Sequence, residues 1–472
     1  MPLLRLIAEG VGPFERLDID LSDGKGNPHL GPHIFAGVNG SGKSTVLRTA
    51  AWVMDWGASG FRHDEWRHLL AGRPHSGAAI VLRLPELPPS VWACTRGIRT
   101  EQEFGLWIAS ALSGSGLGPD IFSVSSNDSW ASLVSEGRWD QDREADATWF
   151  ASSESNVAPF SMAAYAPSRA LRHLSRPDLT KALSDPDQQS LAFEATVQNE
   201  SIQAWLLGLY SKRAIARDRH QSGDQYARSL DQFENALRML CGQSVSLEVE
   251  IEPSFQPRLK AFGGNLDFSQ LPDGVRSTAG WIADFMMRHD LLHRDLAPGD
   301  ARPGVLLLDE VDAHLHPLWQ RRLLPAMRAA LPDVQILVTS HSPFVISSCP
   351  NSRVHVLELD ENGGAHARPP VDSPIGKSVT TTLKEIFGVD SRFDVETEGE
   401  LDEWNTLKKR EVAGSLRASD NTRLAELTIT LAARSEELKS IVAAPMTIPE
   451  SVLRSLTAVE TKPHQIKRKK RA

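Results

Sequence analysis

The chain has 472 residues, 41% of them hydrophobic, so it can bury at least one large core and has room for two or three domains. Its net charge of -9 argues against a protein that binds nucleic acid over a uniformly basic surface. Three cysteines in no CxxC spacing predict neither a disulfide framework nor a zinc site, and they fit a reducing cytoplasm. No signal-like start or apolar run of about 18 residues is present, so neither secretion nor membrane spanning is expected.

The first elements of the chain are predicted strands that lead into a glycine-rich loop. LLRLIAEG and RLDIDL are typical of strands, and HIFAG is typical of a short buried strand ending at Gly37. The next residues, GVNGSGKS, match the pattern GxxxxGK[ST] and pass into apolar residues at helical spacing. A strand, this loop and a helix in that order form the context in which the pattern binds nucleotide phosphates.

Each residue type in this loop suits a phosphate group. Glycines let backbone N–H groups curl around phosphates, and the N-terminus of the following helix adds a positive partial charge. Lys43 is expected to reach the β- and γ-phosphates of ATP, and the Ser44 hydroxyl is expected to bind Mg²⁺. The predicted ATP-binding residues are Asn39, Gly40, Ser41, Gly42, Lys43, Ser44 and Thr45.

The segment from 58 to 160 is the hardest to interpret. Its tryptophans are interpreted as the core of a small subdomain, the commoner case, over an aromatic surface on which nucleic-acid bases stack. Further on, AAYAPSRAL ends a predicted strand, and its polar residues either line the site or form a plain structural turn. The tryptophans are Trp92, Trp107, Trp130, Trp139 and Trp149, and the polar residues are Tyr165, Ser168 and Arg169.

The second half of the chain alternates strands and helices. VLLLDE and QILVTS are continuous apolar runs, as expected for parallel strands buried on both faces. WQRRLLPAMRAAL between them has helical spacing, which predicts a right-handed crossover unit. Further on, Leu424, Leu427, Leu431, Leu438 and Ile441 form one helical stripe, too short for a long coiled coil and typical of a packed hairpin.

The chain ends in a basic run with no acidic residue after Glu460. It is either a disordered solubilising tail or a contact for a phosphate backbone. The expected organisation is a first half of the core at 1–57, an inserted mixed subdomain that returns to the core at 58–186, a helical insertion at 187–242, a second half of the core at 243–370, a C-terminal helical region at 371–460 and a basic tail at 461–472.

Two adjacent carboxylates follow the predicted strand VLLL. Asp309 lies where ligands of parallel α/β sheets bind, and it is expected to hold Mg²⁺ together with Ser44. Glu310 points the other way and is the expected base that polarises the attacking water. His341, after the next strand, is a donor that can reach the γ-phosphate. The predicted catalytic residues are therefore Glu310, His341 and Lys43.

The two histidines that follow these carboxylates raise the question of a metal site. His314 and His316 are two residues apart, which is not the i, i+4 spacing that places two ligands on one helix face. We therefore favour a turn whose imidazoles form hydrogen bonds across an interface.

With these residues assigned, the chain resembles the ABC-type ATPases of the SMC and RecF superclass, and most of all the ATPase subunit of Septu-type anti-phage systems, including those attached to retrons. The resemblance covers the phosphate loop, LPDGVRSTAGWIADFMMR, VLLLDEVDAHLHPLWQRRLLPAM and ILVTSHSPFVISS. It implies the fold class α/β: a P-loop ABC-type ATPase head, with a mixed, largely parallel sheet flanked by helices, a helical insertion and a C-terminal helical region.

In this superclass two heads close around two ATP molecules, each bound between one head's phosphate loop and the other head's signature motif. Leu271 to Val275 stands at the signature position, so the resemblance implies that Gly274 contacts ATP in trans. Pro272 departs from the pattern, because many relatives have a serine there that touches the γ-phosphate, and proline also lacks an N–H. The glutamine that senses Mg²⁺ in relatives is not placed in this sequence.

The resemblance implies an ATP-hydrolysing dimeric switch that regulates a partner effector, a nuclease, in anti-phage defence. After His341 there is no strand ending in DxD and no His/Asn nuclease motif, so any DNA cleavage is expected from a separate chain. Nucleic acid is a further expected partner, and a membrane is not. The alternative is a DNA repair or recombination clamp ATPase of the same superclass without a nuclease partner. A transporter ATPase is disfavoured by the long inserted regions and by the run HLHP.

Overall fold

A computed structural model describes residues 3–443 except 60–74, 84–88, 99, 113–137, 143–146, 152–160, 168–169, 172–190, 192, 194–195, 198, 253–254 and 298–299. Trp130, Ser168, Arg169 and the basic tail lie outside the described residues. The chain divides into two units, Met1–Gly388 and Val389–Ala472.

The strands of the first unit are, in chain order, β1 (Leu3–Val11), β2 (Phe14–Asp20), β3 (His33–Gly37), β4 (Ser76–Leu82), β5 (Ser90–Arg96), β6 (Arg138–Asp142), β7 (Ala147–Ala151), β8 (Ser161–Tyr165), β9 (Ala170–Leu171), β10 (Thr196–Val197), β11 (Ser246–Glu250), β12 (Gln256–Ala261), β13 (Gly264–Leu266), β14 (Gly304–Leu308), β15 (Val334–Thr339), β16 (Arg353–Leu359), β17 (Ala365–Ala367) and β18 (Val371–Asp372). One 13-stranded sheet has the order β6-β7-β5-β4-β1-β2-β17-β16-β3-β15-β14-β8, with β18 beside β16. A second sheet contains β11, β12 and β13, and β9 pairs with β10.

The helices of the first unit are α1 (Lys43–Ser59), α2 (Glu101–Ala111), α3 (Asn199–Asp218), α4 (Asp224–Cys241), α5 (Asp273–Leu292), α6 (Pro317–Ala330), α7 (Pro343–Ile346) and α8 (Val379–Phe387). Those of the second unit are α9 (Val395–Val412), α10 (Ala418–Arg434) and α11 (Glu436–Ala443). None of the helices within the described ranges is long and apolar enough to cross a membrane.

The strands next to the phosphate loop form parallel pairs. β3 pairs with β15 and β16, and β14 pairs with β15 and β8, all in parallel. The predicted crossover unit is confirmed, since β14, α6 and β15 follow one another and the two strands are parallel neighbours. All five carboxyl ends therefore lie at one edge of the sheet.

The other side of the sheet is antiparallel. β1 pairs antiparallel with β2 and β4, and the ladder continues antiparallel through β5, β7 and β6. The α/β fold with a mixed sheet is confirmed, but parallel pairs do not dominate as the sequence predicted: apart from β2 with β17, they are confined to the side that contains β3. Two residues connect β1 to β2, and so short a connection allows only an antiparallel pair.

Both faces of the parallel strands are buried. In β14, Val305 and Leu307 pack into the core around α1, whereas Leu306 and Leu308 pack into the core around α5 and α6. The side chains of a strand point alternately to its two faces, so a strand covered on both sides needs an apolar residue at every position. This requirement explains the uninterrupted apolar run VLLL in the sequence of β14.

Part of the segment from 58 to 186 joins the main sheet. β4 extends the sheet from β1, and β5 extends it from β4. Trp92 on β5 is fully buried in the core around α1. Trp107 on α2 packs beside Phe104, and its indole Nε1 donates to Glu9 Oε2 at 3.0 Å. These two tryptophans fit the interpretation as core residues.

The boundary between the two units falls within the C-terminal helical region predicted for 371–460. The first unit extends to Gly388, so α8 belongs to it and not to a helical region that starts at 371. In the second unit, Leu424, Leu427, Leu431 and Leu438 are buried in one cluster with Trp404. The helix is not continuous along this stripe. It breaks at extended Ser435, whose hydroxyl accepts the Leu438 N–H, and Val442 is buried in place of Ile441.

The start of α5 packs tightly on the turn that follows β14. A Cβ atom added to Gly274 would lie 2.3 Å from the carbonyl oxygen of His314, closer than real Cβ contacts come. His314 itself has a left-handed φ of 63°, which aims its carbonyl at the helix. Only glycine allows this approach of two backbones.

We expect Gly274→Ala to destabilise the first unit by about 1–3 kcal/mol, because the added methyl group forces two well-packed backbones apart. The matched control is Gly208→Ala within α3, where a Cβ would meet nothing within 4 Å. That change should be neutral or stabilising, by up to about 1 kcal/mol, since alanine has the higher helix propensity. Thermal and urea unfolding measure both. Equal stability of the two variants would contradict the close packing at Gly274.

Candidate nucleotide-binding site

The phosphate loop packs closely against the end of the turn between β1 and β2 and the first residue of β2. Gly42 has a left-handed φ of 88°, and a Cβ atom there would lie 2.5 Å from the ring of Phe14. Asn39 and Gly40 at the tip are exposed, whereas Ser41 is buried and Thr45 half-buried. The loop that the sequence predicted is therefore formed, with α1 beginning at Lys43.

Lys43 folds back over the loop that precedes it. Its Nζ donates to the carbonyl oxygen of Gly37 at 3.1 Å and to that of Val38 at 2.9 Å. Burial lowers the pKa of its ammonium group, and the carboxylates of Asp309 and Glu310 act in the opposite direction. An ammonium group that has lost water in this way gains more from an added anion than an exposed one would.

Ser44 and Asp309 are brought together, as predicted. Ser44 Oγ donates to Asp309 Oδ1 at 2.9 Å, although the two residues are 265 positions apart. β3 leads into the loop that carries Ser44, Asp309 follows β14, and β15 lies between these two strands. The contact therefore spans the carboxyl ends of three parallel neighbours. Asp309 is 3% exposed and receives a second hydrogen bond, from Thr339 Oγ1 at 2.6 Å.

Glu310 is exposed whereas Asp309 is buried, and the backbone turns sharply between them. Its φ is 44°, a left-handed value that is uncommon for a residue other than glycine. Its N–H donates to Thr339 Oγ1 at 2.6 Å, and its carbonyl accepts the Ala313 N–H at 2.9 Å. The side chain is exposed at the edge of the sheet. Hydrogen bonds on both sides thus hold a strained backbone at this carboxylate.

His341 lies two residues after the end of β15 and is half-buried. Burial lowers the pKa of its imidazole, and the positive charge of Lys43 lowers it further. The imidazole is therefore neutral near pH 7 and keeps both a donor and an acceptor nitrogen.

The residues of this site fit a nucleotide with Mg²⁺. Ser41 Oγ is buried and has no hydrogen-bond partner in the described part of the protein, so a phosphate oxygen would satisfy it. The first-turn amides of α1 are not needed for hydrogen bonds within the helix and suit an anion. The Ser44 hydroxyl and the Asp309 carboxylate are hard oxygen ligands of the kind that Mg²⁺ takes.

The two histidines after Asp309 have separate positions. His316 is the N-cap residue of α6, and its Nδ1 accepts the Leu318 N–H at 3.3 Å. His314 is exposed on the turn that meets Gly274. No group of three possible metal-ligating side chains occurs in the described ranges.

Two residues near this site have contacts that the sequence reading did not assign. Thr339, which links Asp309 to Glu310, has one signal in the sequence, a polar residue at the end of a mostly apolar strand. Tyr165, left open between site and turn, is buried. Its carbonyl accepts the Asp309 N–H at 3.0 Å, and its hydroxyl donates to Asp284 Oδ2 at 2.6 Å.

A family model described as "AAA domain, putative AbiEii toxin, Type IV TA system" matches residues 172–347. A retron Vc95 probable ATPase of Vibrio cholerae is 26% identical over 122 residues, which are 26% of this chain and 23% of that protein. A retron Ec83 probable ATPase of Escherichia coli is 33% identical over 98 residues, 20% of this chain and 17% of that protein. Septu protein PtuA of Bacillus thuringiensis is 32% identical over 115 residues, 22% of this chain and 29% of PtuA.

These matches span less than a third of each relative. Among solved structures, an SMC head bound to a domain of ScpA covers 79% of this chain and 98% of its own, at 14% identity and a TM-score of 0.42. The sequence matches confirm the likeness to retron and Septu proteins that the motifs indicated: over part of its length, this chain is similar to retron probable ATPases and to Septu protein PtuA.

Proposed function

We propose that this chain binds and hydrolyses ATP as a dimeric switch that regulates a partner effector, a nuclease, in anti-phage defence. The observation that carries the proposal is the convergence of the phosphate loop with two carboxylates, in which Ser44 Oγ lies 2.9 Å from Asp309 Oδ1 and Glu310 turns outward beside it. This arrangement separates a buried carboxylate from an exposed one at the same strand end.

In the proposed reaction, the loop from Asn39 to Thr45 cradles the phosphates with its amides, and Lys43 binds the β- and γ-phosphates. Ser44 and Asp309 would hold Mg²⁺, which neutralises phosphate charge when it is bound. Glu310, whose carboxylate is exposed at the edge of the loop and can reach a water molecule, orients the attacking water and accepts its proton. Neutral His341 donates a hydrogen bond to the γ-phosphate.

The proposed dimer brings the start of α5 of one copy to the ATP of the other. Pro272 and Asp273 are exposed there, and no side chain caps the helix, so its first-turn amides suit a phosphate. Gly274 is buried in its own chain, and its trans contact is therefore proposed through its backbone N–H alone. The names of the relatives favour retron and Septu systems over a repair clamp.

Glu310→Gln tests the reaction. We expect it to bind ATP as tightly as the wild type and to hydrolyse it at least about 100-fold more slowly, because glutamine keeps the shape and cannot accept a proton. Steady-state phosphate release and equilibrium binding of a fluorescent ATP analogue measure the two effects. The control is Glu361→Gln, an exposed glutamate in the turn after β16, which should leave both unchanged. Wild-type turnover in Glu310→Gln would contradict the assignment of Glu310 as the base.

The effector is tested by purifying the tagged chain from its native operon, with and without ATP and Mg²⁺. We expect a second chain with nuclease activity to copurify in fixed stoichiometry, because this sequence carries no recognisable nuclease motif. Mass spectrometry identifies the chain, and native mass gives the stoichiometry. Recovery of a bare dimer with DNA and no second protein would favour the repair clamp instead.

Nucleic acid is the other proposed partner, and the end of α3 offers a surface for it. Lys212, Arg213, Arg217 and Arg219 follow one another within eight residues, and none of them forms an ion pair in the described part of the chain. Lys212 and Arg213 lie over tyrosine rings, with Nζ and Cζ 5.8 and 4.7 Å from the ring centroids. Cations without carboxylate partners remain available to phosphates.

The charge-reversal variant Arg213→Glu/Arg217→Glu/Arg219→Glu should bind labelled DNA and RNA at least about 10-fold more weakly. Its salt slope should also be shallower by about 0.9 for each lost duplex phosphate contact. Fluorescence anisotropy across a salt series measures both. A matched control reverses Lys25, Lys409 and Arg417, which are exposed and make no ion pair with any residue that the structure describes. Equal affinity of the two variants would rule out the α3 surface, and loss only on removal of residues 462–472 would assign the contact to the tail.

A further inference from the structure

Thr339 occupies the centre of the candidate site, although nothing in the phosphate-loop chemistry assigns it a role. It is the last residue of β15, the strand between β3 and β14, and it is fully buried. Phosphate-binding residues follow β3, and both carboxylates follow β14. Its side chain is therefore enclosed between the two halves of the site.

The hydroxyl of Thr339 joins the two carboxylate residues. Its Oγ1 donates to Asp309 Oδ1 at 2.6 Å and accepts the N–H of Glu310 at 2.6 Å. A hydroxyl can donate one hydrogen bond and accept others at the same time, so both contacts use one group. The direction of the proton is also determined, since the carboxylate can only accept and the amide can only donate.

The backbone of Thr339 extends the same clamp. Its carbonyl oxygen accepts the Val311 N–H at 3.0 Å, so one threonine binds three consecutive residues, Asp309, Glu310 and Val311. The middle residue is the one with the left-handed φ of 44°. A strained conformation persists only where its surroundings over-determine it, and here hydrogen bonds from a single neighbour lie on both sides of it.

We infer that Thr339 is a positioning residue for ATP hydrolysis, which fixes the Asp309 carboxylate toward Ser44 and holds the backbone turn that aims Glu310. The inference rests on the proposed function. It assigns the hydroxyl, and not the volume of the side chain, as the group that matters. Asp309 Oδ1 accepts hydrogen bonds from the hydroxyls of both Ser44 and Thr339, so loss of the Thr339 hydroxyl removes one of the two that orient this oxygen toward the loop.

The test compares Thr339→Val, which removes the hydroxyl at nearly constant shape, with Thr339→Ser, which keeps it. We expect Thr339→Val to lower kcat about 10- to 100-fold and to raise the Mg²⁺ concentration needed for half-maximal rate, as loss of a group that orients a metal ligand does. KM for ATP should change by less than about 3-fold, because the loop and Lys43 still bind the phosphates. Thr339→Ser should restore most of kcat.

The control is Thr382→Val, which removes another buried hydroxyl, on α8, that donates to the Ser378 carbonyl at 3.1 Å. It reports the effect of losing such a group on stability alone and should leave the Mg²⁺ requirement unchanged. If Thr339→Val does not fold, Thr339→Ala removes the same hydroxyl with less volume and takes its place against Thr339→Ser.

The outcomes separate this inference from the proposed function. A wild-type protein without ATPase activity would remove both. Active wild type with an equally active Thr339→Val would overturn the role of Thr339 alone. Equal losses in the serine and valine variants would overturn it as well, because they would show that shape matters and the hydroxyl does not.

Discussion

The hydrogen bond from Ser44 Oγ to Asp309 Oδ1 is the contact on which the arrangement of the candidate site depends. It joins the first turn of α1 to the end of β14, and so it holds together two parts of the chain that are far apart in sequence. The contact requires that β3, β15 and β14 lie side by side and in parallel, since only then do their carboxyl ends meet at one edge. Burial of both faces keeps these strands in the interior of the sheet, because apolar residues on both faces must be covered by a core on each side.

Two tightly packed glycines connect the surrounding loops to these strands. Gly42 lies against the ring of Phe14, the first residue of β2, so the phosphate loop depends on the antiparallel side of the sheet for its shape. Gly274 lies against the carbonyl of His314, so the start of α5 depends on the turn that follows Asp309 and Glu310. A movement at the exposed start of α5 would therefore press on the turn beside the two carboxylates, and the proposed trans contact and the proposed base share one mechanical link.

The parts of this structure that local chemistry determines could be predicted from the sequence. The phosphate loop, the strand before it and the buried run before Asp309 each carry their signal within about ten residues, so their elements and their meeting edge were foreseeable. The pairing of strands that are far apart in the sequence could not be predicted in this way. β4 and β5 join β1 through registers that no local pattern specifies, and that side of the sheet proved antiparallel. Thr339 was missed for a related reason, because its role arises only when β15 lies beside β14.

Tyr165 shows how the helical layer is tied to the same edge. Its carbonyl accepts the Asp309 N–H, while its hydroxyl donates to Asp284 on α5, and Arg288 Nε donates to the same Asp284 oxygen at 2.8 Å. Asp284 and Arg288 are both buried, so removing either partner would leave a charge without compensation in the core. α5, which begins at the proposed trans contact, is thus anchored at its middle to β8, the strand whose last residue also binds the Asp309 N–H.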